Sequence, residues 1–325
     1  MAIDSNTLDG AARAIGDASV IAMACHIGPD GDAIGSMLGM AVAATAAGKR
    51  VVASFGEPFA VPDAFRYLPT DRLVPPADMP PDPEVLVTFD AGSPDRLGEL
   101  QALVDGAGAV VVIDHHVSNT GFGTHDLIDP EASATAEIVV ALLDRLGWRL
   151  TAEVATCLHT GIVTDTGRFQ YSNTRPGTLQ VAARLVEAGA RPEVIGRYVY
   201  EEVPFGYLEV AGAVLSRARL DPERRLVWSV VTQEDLDEAG ISLDDTDPLI
   251  DALRVARESD VAMLLKHLGP SRVKGSLRSR GRVDVGAIAV ALGGGGHHNA
   301  AGFTFDGTPE ETLAAVIALL DQTGD

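Results

Sequence analysis

The sequence predicts an α/β fold: an N-terminal doubly wound parallel sheet followed by a smaller C-terminal α/β domain. Short apolar runs that end at Cys25, Phe89 and Ile113 are typical of buried parallel strands. Helix-sized segments separate these runs, which is the alternation of a parallel sheet. Acidic or histidine residues follow each run directly. In such sheets ligands bind beyond the carboxyl ends of the strands.

The N-terminal elements follow in order along the chain. Apolar runs predict strands at 19–25, 50–55, 85–89 and 109–113. Helical patterns occupy 33–47, 133–146, 151–163 and 178–187, and Gly48, Gly147 and Gly189 are stop signals. The proline-rich segment 58–83 predicts an irregular excursion.

A second pattern begins after residue 206. We predict strands at 225–232, 260–268 and 272–279, helices at 247–257 and 309–320, and a glycine-rich turn between them. The segment 191–206 mixes aromatic and charged residues, and we predict that it is a partly helical linker. The predicted organisation is therefore a first domain at 1–190, a linker at 191–206, and a smaller second domain at 207–325.

Composition limits the functional classes. The chain has 325 residues and a net charge of −21, from 46 acidic and 25 basic residues. This balance argues against a protein that coats long nucleic acids, because neutralising phosphates needs a basic surface. Only two cysteines are present, the first residues carry no basic secretory start, and no apolar run is long enough to span a membrane. We expect a cytoplasmic protein without membrane attachment.

The most informative feature is a set of metal-ligand side chains at the predicted strand ends. Carboxylates and imidazoles are the ligands that a pair of divalent cations prefers. Two such cations a few Å apart are typical of phosphoester hydrolysis. The set comprises His26, Asp30, Asp32, Asp90, Asp114, His115, His116 and Asp165.

The alternative for each residue alone is structural. A single aspartate after a strand is commonly a turn or helix-cap residue, and Asp-Gly-Asp occurs in simple turns. Structural needs do not explain three separate strand ends that all carry acidic or imidazole groups. The combination therefore predicts a dinuclear metal site.

These motifs, taken together, resemble the DHH phosphoesterase family. The segment 26–36, His-Ile-Gly-Pro-Asp-Gly-Asp-Ala-Ile-Gly-Ser, is similar to its first motif, and Asp90 and Asp114-His115-His116 are similar to its second and third. Thr164-Asp165-Thr166-Gly167 with Asn173-Thr174 resembles the fourth. The glycine-rich segment 293–302 resembles the motif of the associated DHHA1 domain. The layout looks like the branch of oligoribonucleases and pAp phosphatases.

The resemblance implies that 1–190 is a catalytic, metal-binding domain and 207–325 a substrate-binding domain, with the active site in the cleft between the two domains. It also implies a role for each position. His26 and Asp30 would hold one metal, Asp32, His115 and Asp165 the other, and Asp90 would bridge both. His116 would contact the scissile phosphate, with Asp114 supporting the site by orienting a neighbouring histidine. Two divalent ions are implied, Mn²⁺ first, with Mg²⁺ and Co²⁺ as alternatives.

The basic segment 266–282 is the second candidate site. It holds six lysines and arginines and no acidic residue, in a chain of charge −21. The structural alternative is an edge strand of the sheet, on which exposed charges prevent pairing with other chains. With the glycine run beside it, the resemblance instead implies a clamp for the phosphate and bases of a short nucleotide. The expected contacts are Lys274, Arg278, Gly295, Gly296 and His297.

The expected enzyme is a metal-dependent hydrolase of short oligoribonucleotides (nanoRNA) and of the 3′-phosphate of pAp, releasing nucleoside monophosphates. The di-adenylate pApA and cyclic di-AMP are further candidate substrates, and a homodimer is possible. The alternatives are an inorganic pyrophosphatase with the same N-terminal motifs, a processive single-strand DNA exonuclease, and a non-catalytic nucleotide sensor. A sensor would be expected to have lost ligands, and this sequence has them all.

Overall fold

The computed structural model describes residues 3–322 and divides the chain into two compact units, with the boundary between Glu201 and Glu202. Each unit has its own sheet and its own hydrophobic cores. The α/β class and the parallel N-terminal sheet predicted from the sequence are confirmed.

The first unit is built on a five-stranded parallel sheet with the order β2-β1-β3-β4-β5. Four of its strands lie where the apolar runs predict them. The fifth, β5, is a short edge strand that the sequence pattern does not reveal. The strands are β1 (Val20–Cys25), β2 (Arg50–Phe55), β3 (Val85–Phe89), β4 (Ala109–Asp114) and β5 (His125–Ile128).

Within residues 3–201, seven α-helices accompany this sheet. The larger core lies between the sheet and the apolar faces of α1, α2, α4 and α5, and a smaller core covers the other face. The segment 58–83 is irregular, with three short 3₁₀ turns. The helices are α1 (Ser5–Asp17), α2 (Gly31–Ala46), α3 (Ala102–Gly106), α4 (Thr135–Leu146), α5 (Ala152–Asp165), α6 (Pro176–Glu187) and α7 (Pro192–Gly196), the last continued by a π-helical turn at Arg197–Glu201.

The second unit is built on a six-stranded mixed sheet with the order β10-β11-β9-β8-β7-β6. Only β7 and β8 are parallel. The basic strand β9 pairs on both sides, so the alternative of a charged edge strand is wrong. The strands are β6 (Arg219–Asp221), β7 (Leu226–Val231), β8 (Val261–Gly269), β9 (Arg272–Ser279), β10 (Gly295–His297) and β11 (Ala300–Asp306).

Helices cover both faces of this second sheet. One core includes residues of α8, α9 and α10, and the other includes residues of α11 and α12. The glycine run is not simply a turn, because Gly295 and Gly296 form β10. Within residues 3–322, none of the helices combines the length and apolar character that a membrane crossing requires. The helices are α8 (Gly206–Ser216), α9 (Gln233–Ala239), α10 (Leu249–Arg254), α11 (Val285–Ala291) and α12 (Pro309–Leu320).

Candidate metal centre

The predicted ligands lie at the carboxyl edge of the parallel sheet in the first unit. His26 follows β1, Asp90 follows β3 and His115 follows β4. The strand order reverses between β1 and β3, because the chain goes first to β2 on one side and then to β3 on the other. Helices and loops diverge at such a reversal and leave a crevice beyond the strand ends.

His26 and Asp30 form the first corner of the site. Asp30 is the N-cap of α2, and its Oδ1 accepts hydrogen bonds from the backbone N–H groups of Asp32 and Ala33 at 3.0 Å each. Its other oxygen, Oδ2, lies 3.8 Å from Nε2 of His26. His26 Nδ1 contacts the carbonyl oxygen of Ile27 at 3.0 Å, which turns Nε2 toward the carboxylates.

Asp32 is fully buried and is held by the N-terminus of α4. Its Oδ2 accepts from the backbone N–H of Thr135 at 2.6 Å, and its Oδ1 accepts from Ala136 N–H and the Ser36 hydroxyl at 3.0 Å each. Burial and the nearby carboxylates of Asp90 and Asp165 raise the pKa of Asp32 well above its ordinary value. A cation at this position would reverse that tendency.

Asp90 lies at the centre of the cluster. It is 2% exposed, and its backbone φ of 55° falls in the left-handed region that non-glycine residues rarely adopt. Its Oδ1 accepts from the Thr135 hydroxyl at 2.9 Å and lies 3.5 Å from His115 Nε2. Burial opposes the charged carboxylate, but His26, His116 and His115 outweigh burial and hold its pKa well below the ordinary value.

His115 and Asp165 form the opposite corner. His115 Nδ1 contacts the Ala132 carbonyl oxygen at 3.2 Å, so Nε2 faces the cluster. That nitrogen lies 3.1 Å from Asp165 Oδ2 and 3.9 Å from Asp32 Oδ2. Asp165 is the last residue of α5, and Asn173 donates to its carbonyl oxygen at 3.0 Å.

His116 and Asp114 lie beside the ligand cluster. Asp114 Oδ1 accepts from His116 Nδ1 at 2.7 Å and from the backbone N–H of His115 at 2.8 Å. Asn119 donates to the second Asp114 oxygen. Burial lowers the pKa of His116, but Asp114 and Asp90 raise it more, so the net shift is upward. Asp114 therefore orients the His116 ring and favours its protonated form.

The donor set fits divalent cations. The ligating atoms of His26, Asp30 and Asp90 lie within 4.8 Å of one another, as do those of Asp32, Asp90 and His115. Asp90 belongs to both triads. Its Oδ2 is buried without a hydrogen bond among the described residues, and His26 Nε2 at 3.6 Å is too distant to supply one. Such an oxygen in an acidic cluster is what a bridging carboxylate presents.

The structure thus brings together all eight residues singled out in the N-terminal motifs. Their assignment to one metal or the other remains a prediction. Sequence reasoning missed Thr135 and Asn119, which hold Asp90, Asp32 and Asp114. A signal for Thr135 existed, because Ser133-Ala134-Thr135 precedes an apolar helical pattern and marks a helix start. No sequence signal identified Asn119 beyond its position three residues after His116.

The five predicted substrate contacts lie in the second unit. Lys274 and Arg278 are on β9, and their side chains contact carboxylates: Lys274 Nζ lies 3.7 Å from Asp247 Oδ1, and Arg278 Nε lies 3.7 Å from Asp251 Oδ1. His297 on β10 and Arg278 both pair with Ala300 of β11. Directly paired residues point to the same face of a sheet. The other two contacts are Gly295 and Gly296 on β10.

Comparison with known proteins agrees with this arrangement. Residues 20–162 match the DHH family, N-terminal domain, and residues 212–323 match the DHHA1 domain. A Thermus thermophilus protein, the bifunctional oligoribonuclease and PAP phosphatase NrnA, is 37% identical over 311 residues, which cover 94% of this chain and 91% of that protein. The Bacillus subtilis protein of the same name is 25% identical over 222 residues, covering 67% of this chain and 69% of that one.

A solved structure has the same fold throughout. The crystal structure of an exopolyphosphatase-related protein from Bacteroides fragilis superposes with a TM-score of 0.89 at 26% identity, covering 99% of this chain and 97% of that one. The fold and the site define an α/β protein with carboxylate and histidine clusters that can bind metal ions. This chain belongs to the DHH family, with a DHHA1 domain in its C-terminal part.

Proposed function

We propose that this protein is a dinuclear-metal phosphoesterase that hydrolyses short oligoribonucleotides and the 3′-phosphate of pAp. The observation that carries the proposal is the pair of ligand triads that share Asp90. The names of the Thermus and Bacillus relatives supply the substrate class. Hydrolysis of phosphoesters is the chemistry for which paired cations at one site are best suited.

The ligands divide naturally between two ions. His26, Asp30 and Asp90 would hold one, and Asp32, Asp90, His115 and Asp165 the other. We propose Mn²⁺ as the ion, since mixed carboxylate and imidazole ligands suit it, and Mg²⁺ and Co²⁺ are alternatives. When bound, such ions lower the pKa of coordinated water and withdraw charge from the phosphoryl oxygens.

The chain's own residues supply orientation and a proton. Asp114 fixes the tautomer of His116 through the 2.7 Å contact with Nδ1, which leaves Nε2 as the nitrogen available to a substrate. We propose that His116 contacts the scissile phosphate and donates a proton to the leaving oxygen. The Asp114 carboxylate at 2.7 Å from His116 Nδ1 supports this role, because it stabilises the protonated ring and a general acid must carry its proton near neutral pH.

The second unit would bind the nucleotide beyond the scissile bond. We propose Lys274, Arg278 and His297 as contacts to phosphate and base, with Gly295 and Gly296 allowing close approach of the ligand to the backbone. The shared register of Arg278 and His297 with Ala300 supports a common binding face. The net charge of −21 disfavours long strands. The dinucleotide pApA and cyclic di-AMP are further candidate substrates.

The experiment that tests this function compares substrates on the same purified protein with Mn²⁺. The panel contains pAp, pApA, longer oligoribonucleotides, cyclic di-AMP and pyrophosphate. We expect the highest kcat/KM on pAp or the shortest oligoribonucleotides. Pyrophosphate hydrolysis far above nucleotide hydrolysis would contradict the proposal, although the DHHA1 match at residues 212–323 does not favour a pyrophosphatase.

A single substitution tests the shared carboxylate. Asp90→Asn keeps the shape of the side chain and its bond to Thr135, and removes the charge that two cations need. We expect activity to fall by at least about a thousandfold while the circular dichroism spectrum is unchanged. Asp105→Asn, in the short helix α3, is the matched control and should retain activity. Substantial activity of the Asp90 variant would exclude the two-metal site.

A further inference from the structure

Four arginines of the second unit meet around Asp260, the residue before β8. The Asp260 carboxylate contacts Arg225 Nε and Nη2, at 2.9 and 3.0 Å, and accepts from Arg282 Nη1 at 3.3 Å. The Asp260 carbonyl oxygen accepts from the backbone N–H of Arg280 at 3.0 Å. The Arg280 guanidinium in turn donates to the carbonyl oxygen of Arg254, at 2.8 and 3.2 Å. We call Arg225, Arg254, Arg280 and Arg282 the arginine cluster.

The arginine cluster is basic in a strongly acidic chain. Four arginines and one aspartate give a net charge of +3, whereas the whole chain carries −21. Arg225 and Arg282 contact the same oxygen of Asp260, Oδ2, so their guanidinium groups lie well within the Debye length of about 8 Å at physiological ionic strength. Like charges at this separation repel each other. A bound polyanion would remove that repulsion.

Structural roles account for two members of the cluster but not for Arg282. Arg225 forms a two-contact ion pair with Asp260, and Arg280 caps the last carbonyl group of α10. The Arg282 side chain is 76% exposed, and its one carboxylate contact is to an oxygen that Arg225 already occupies. Most of the five N–H donors of Arg282 therefore face solvent. The loop that leads to Asp260 adds a further exposed arginine, Arg257.

The cluster adjoins the nucleotide contacts proposed for this unit. Arg278 contacts a carboxylate of α10 at 3.7 Å, and Arg280, two residues further along the chain, contacts the last carbonyl group of the same helix. Both side chains therefore lie on the side of the sheet that α10 covers. His298, the residue after His297, has its Nε2 3.1 Å from the carbonyl oxygen of Gly281, within the cluster's own loop. The cluster thus borders the proposed contacts on two strands.

We propose that the arginine cluster binds the phosphodiester backbone of an oligoribonucleotide, beyond the nucleotide held by Arg278 and His297. This inference rests on the proposed function and adds the part of the site that holds longer substrates. Arginine suits this role, because its planar fork donates two parallel hydrogen bonds to a phosphate. The substrate pAp has no further phosphodiester to offer, so the contribution of the cluster to binding should grow with strand length.

The first test measures binding of a labelled oligoribonucleotide of about seven residues by fluorescence anisotropy. Ca²⁺ replaces Mn²⁺, under conditions in which a gel shows that the strand stays intact. We expect Arg282→Gln to weaken binding about fivefold at low salt. It should also reduce the slope of log Kd against log salt concentration by about 0.7, the value for one phosphate contact on a single strand. Arg282→Lys should keep the slope, because the charge remains.

The matched control is Arg272→Gln, at the opposite end of β9. The Arg272 side chain is 64% exposed and lies 3.7 Å from a carboxylate, and Arg272 is outside the proposed contacts. It should leave both the affinity and the salt slope unchanged, and thermal melts should show all variants folded. The proposal is overturned if the wild type does not bind the strand, if Arg282→Gln binds as the wild type does, or if Arg272→Gln weakens binding equally.

The second test measures hydrolysis of pAp and of the same strand with Mn²⁺. We expect the ratio of the strand KM to the pAp KM to rise about fivefold in Arg282→Gln with kcat unchanged, because the cluster contributes binding that is equal in the ground and transition states. An equal rise of both KM values would contradict a role in strand length. A wild type that binds the strand but hydrolyses no nucleotide would contradict the proposed function, and the anisotropy test would still decide the role of the cluster.

Discussion

His159 is a buried histidine outside the ligand cluster. It is 3% exposed on α5, its ring meets that of Phe169 edge-on at 6.2 Å, and its Nδ1 makes no hydrogen bond among the described residues. Burial lowers its pKa below the ordinary value of 6.5. The unfolded chain therefore binds a proton before the folded chain does, and this proton binding favours unfolding as the pH falls below 6.5.

We predict that His159→Leu removes part of the acid sensitivity of the fold. The stability contribution of the neutral imidazole is complete above pH 6.5 and is lost as the pH falls toward the lowered pKa. Urea unfolding of both proteins above and below that pH measures the effect. The wild-type free energy of unfolding should fall more on acidification than that of the variant. Identical falls would show that His159 does not titrate on unfolding.

Lys266 and Asp247 form an asymmetric ion pair in the second unit. The Lys266 side chain is 1% exposed and the Asp247 side chain 56%, and the two contact each other directly. We predict that Asp247→Asn lowers the free energy of unfolding by about 2 kcal/mol, because it leaves a buried ammonium group without its carboxylate. Lys266→Met should lower the free energy of unfolding by less than about 1 kcal/mol, since the Asp247 carboxylate that remains is solvated. Denaturant unfolding measures the free energy of unfolding of both variants. A larger loss for Lys266→Met than for Asp247→Asn would contradict the prediction.

At the scale of elements, the crossing of α2 and α5 determines how closely the ligands approach. Glycines allow the two helices to touch: a Cβ at Gly35 would lie 2.5 Å from the Cys157 carbonyl oxygen, and a Cβ at Gly161 would lie 2.5 Å from Asp32 Oδ1. The crossing therefore brings Asp32 of α2 against the last turns of α5, which end at Asp165.

We predict that Gly161→Ala weakens metal binding more than it weakens the fold. The added methyl group would displace the Asp32 carboxylate, although Ala favours the helix by up to about 1 kcal/mol. Calorimetric titration with Mn²⁺ should show at least about tenfold weaker binding. Gly177→Ala is the control, because its Cβ would meet nothing within 4 Å. Equal metal affinity for both variants would show that the crossing has room to adjust.

The elements also show how far sequence reasoning reaches. The ligand positions were predictable because β1, β3 and β4 are continuous apolar runs, and the ends of parallel strands converge. Four strands were missed: β5, β6, β10 and β11. The strands β5 and β6 have only four and three residues with polar members, β10 has two glycines with no side-chain pattern, and β11 lies between the predicted glycine-rich turn and the last helix. The helix α8 was missed because its apolar residues lie on both faces. The bonds from Thr135 to Asp32 and Asp90 depend on tertiary packing that local patterns do not encode.

At the scale of the whole molecule, we expect metal binding to stabilise the two units to different extents. Each has separate cores, and the carboxylate and histidine ligands proposed for the metals all belong to the first. We predict that free Mn²⁺ at a hundredfold excess over Kd stabilises the first unit by about 2.7 kcal/mol and thereby raises its melting temperature. Scanning calorimetry with Mn²⁺ and with a chelator measures this. Asp90→Asn should lose most of the shift, and an undiminished shift in that variant would place the metal elsewhere.

The hydrogen bonds from α4 to Asp32 join residues more than a hundred positions apart, with sequence separations of 103 and 104. The site therefore has very high contact order and cannot exist in any short fragment of the chain. Cations can bind there only after the sheet of the first unit has formed, so metal binding reports on the fraction of protein that is native. A destabilising substitution far from the ligands should therefore weaken the apparent metal affinity only in proportion to the native fraction it removes, and should leave the affinity unchanged while that unit stays folded.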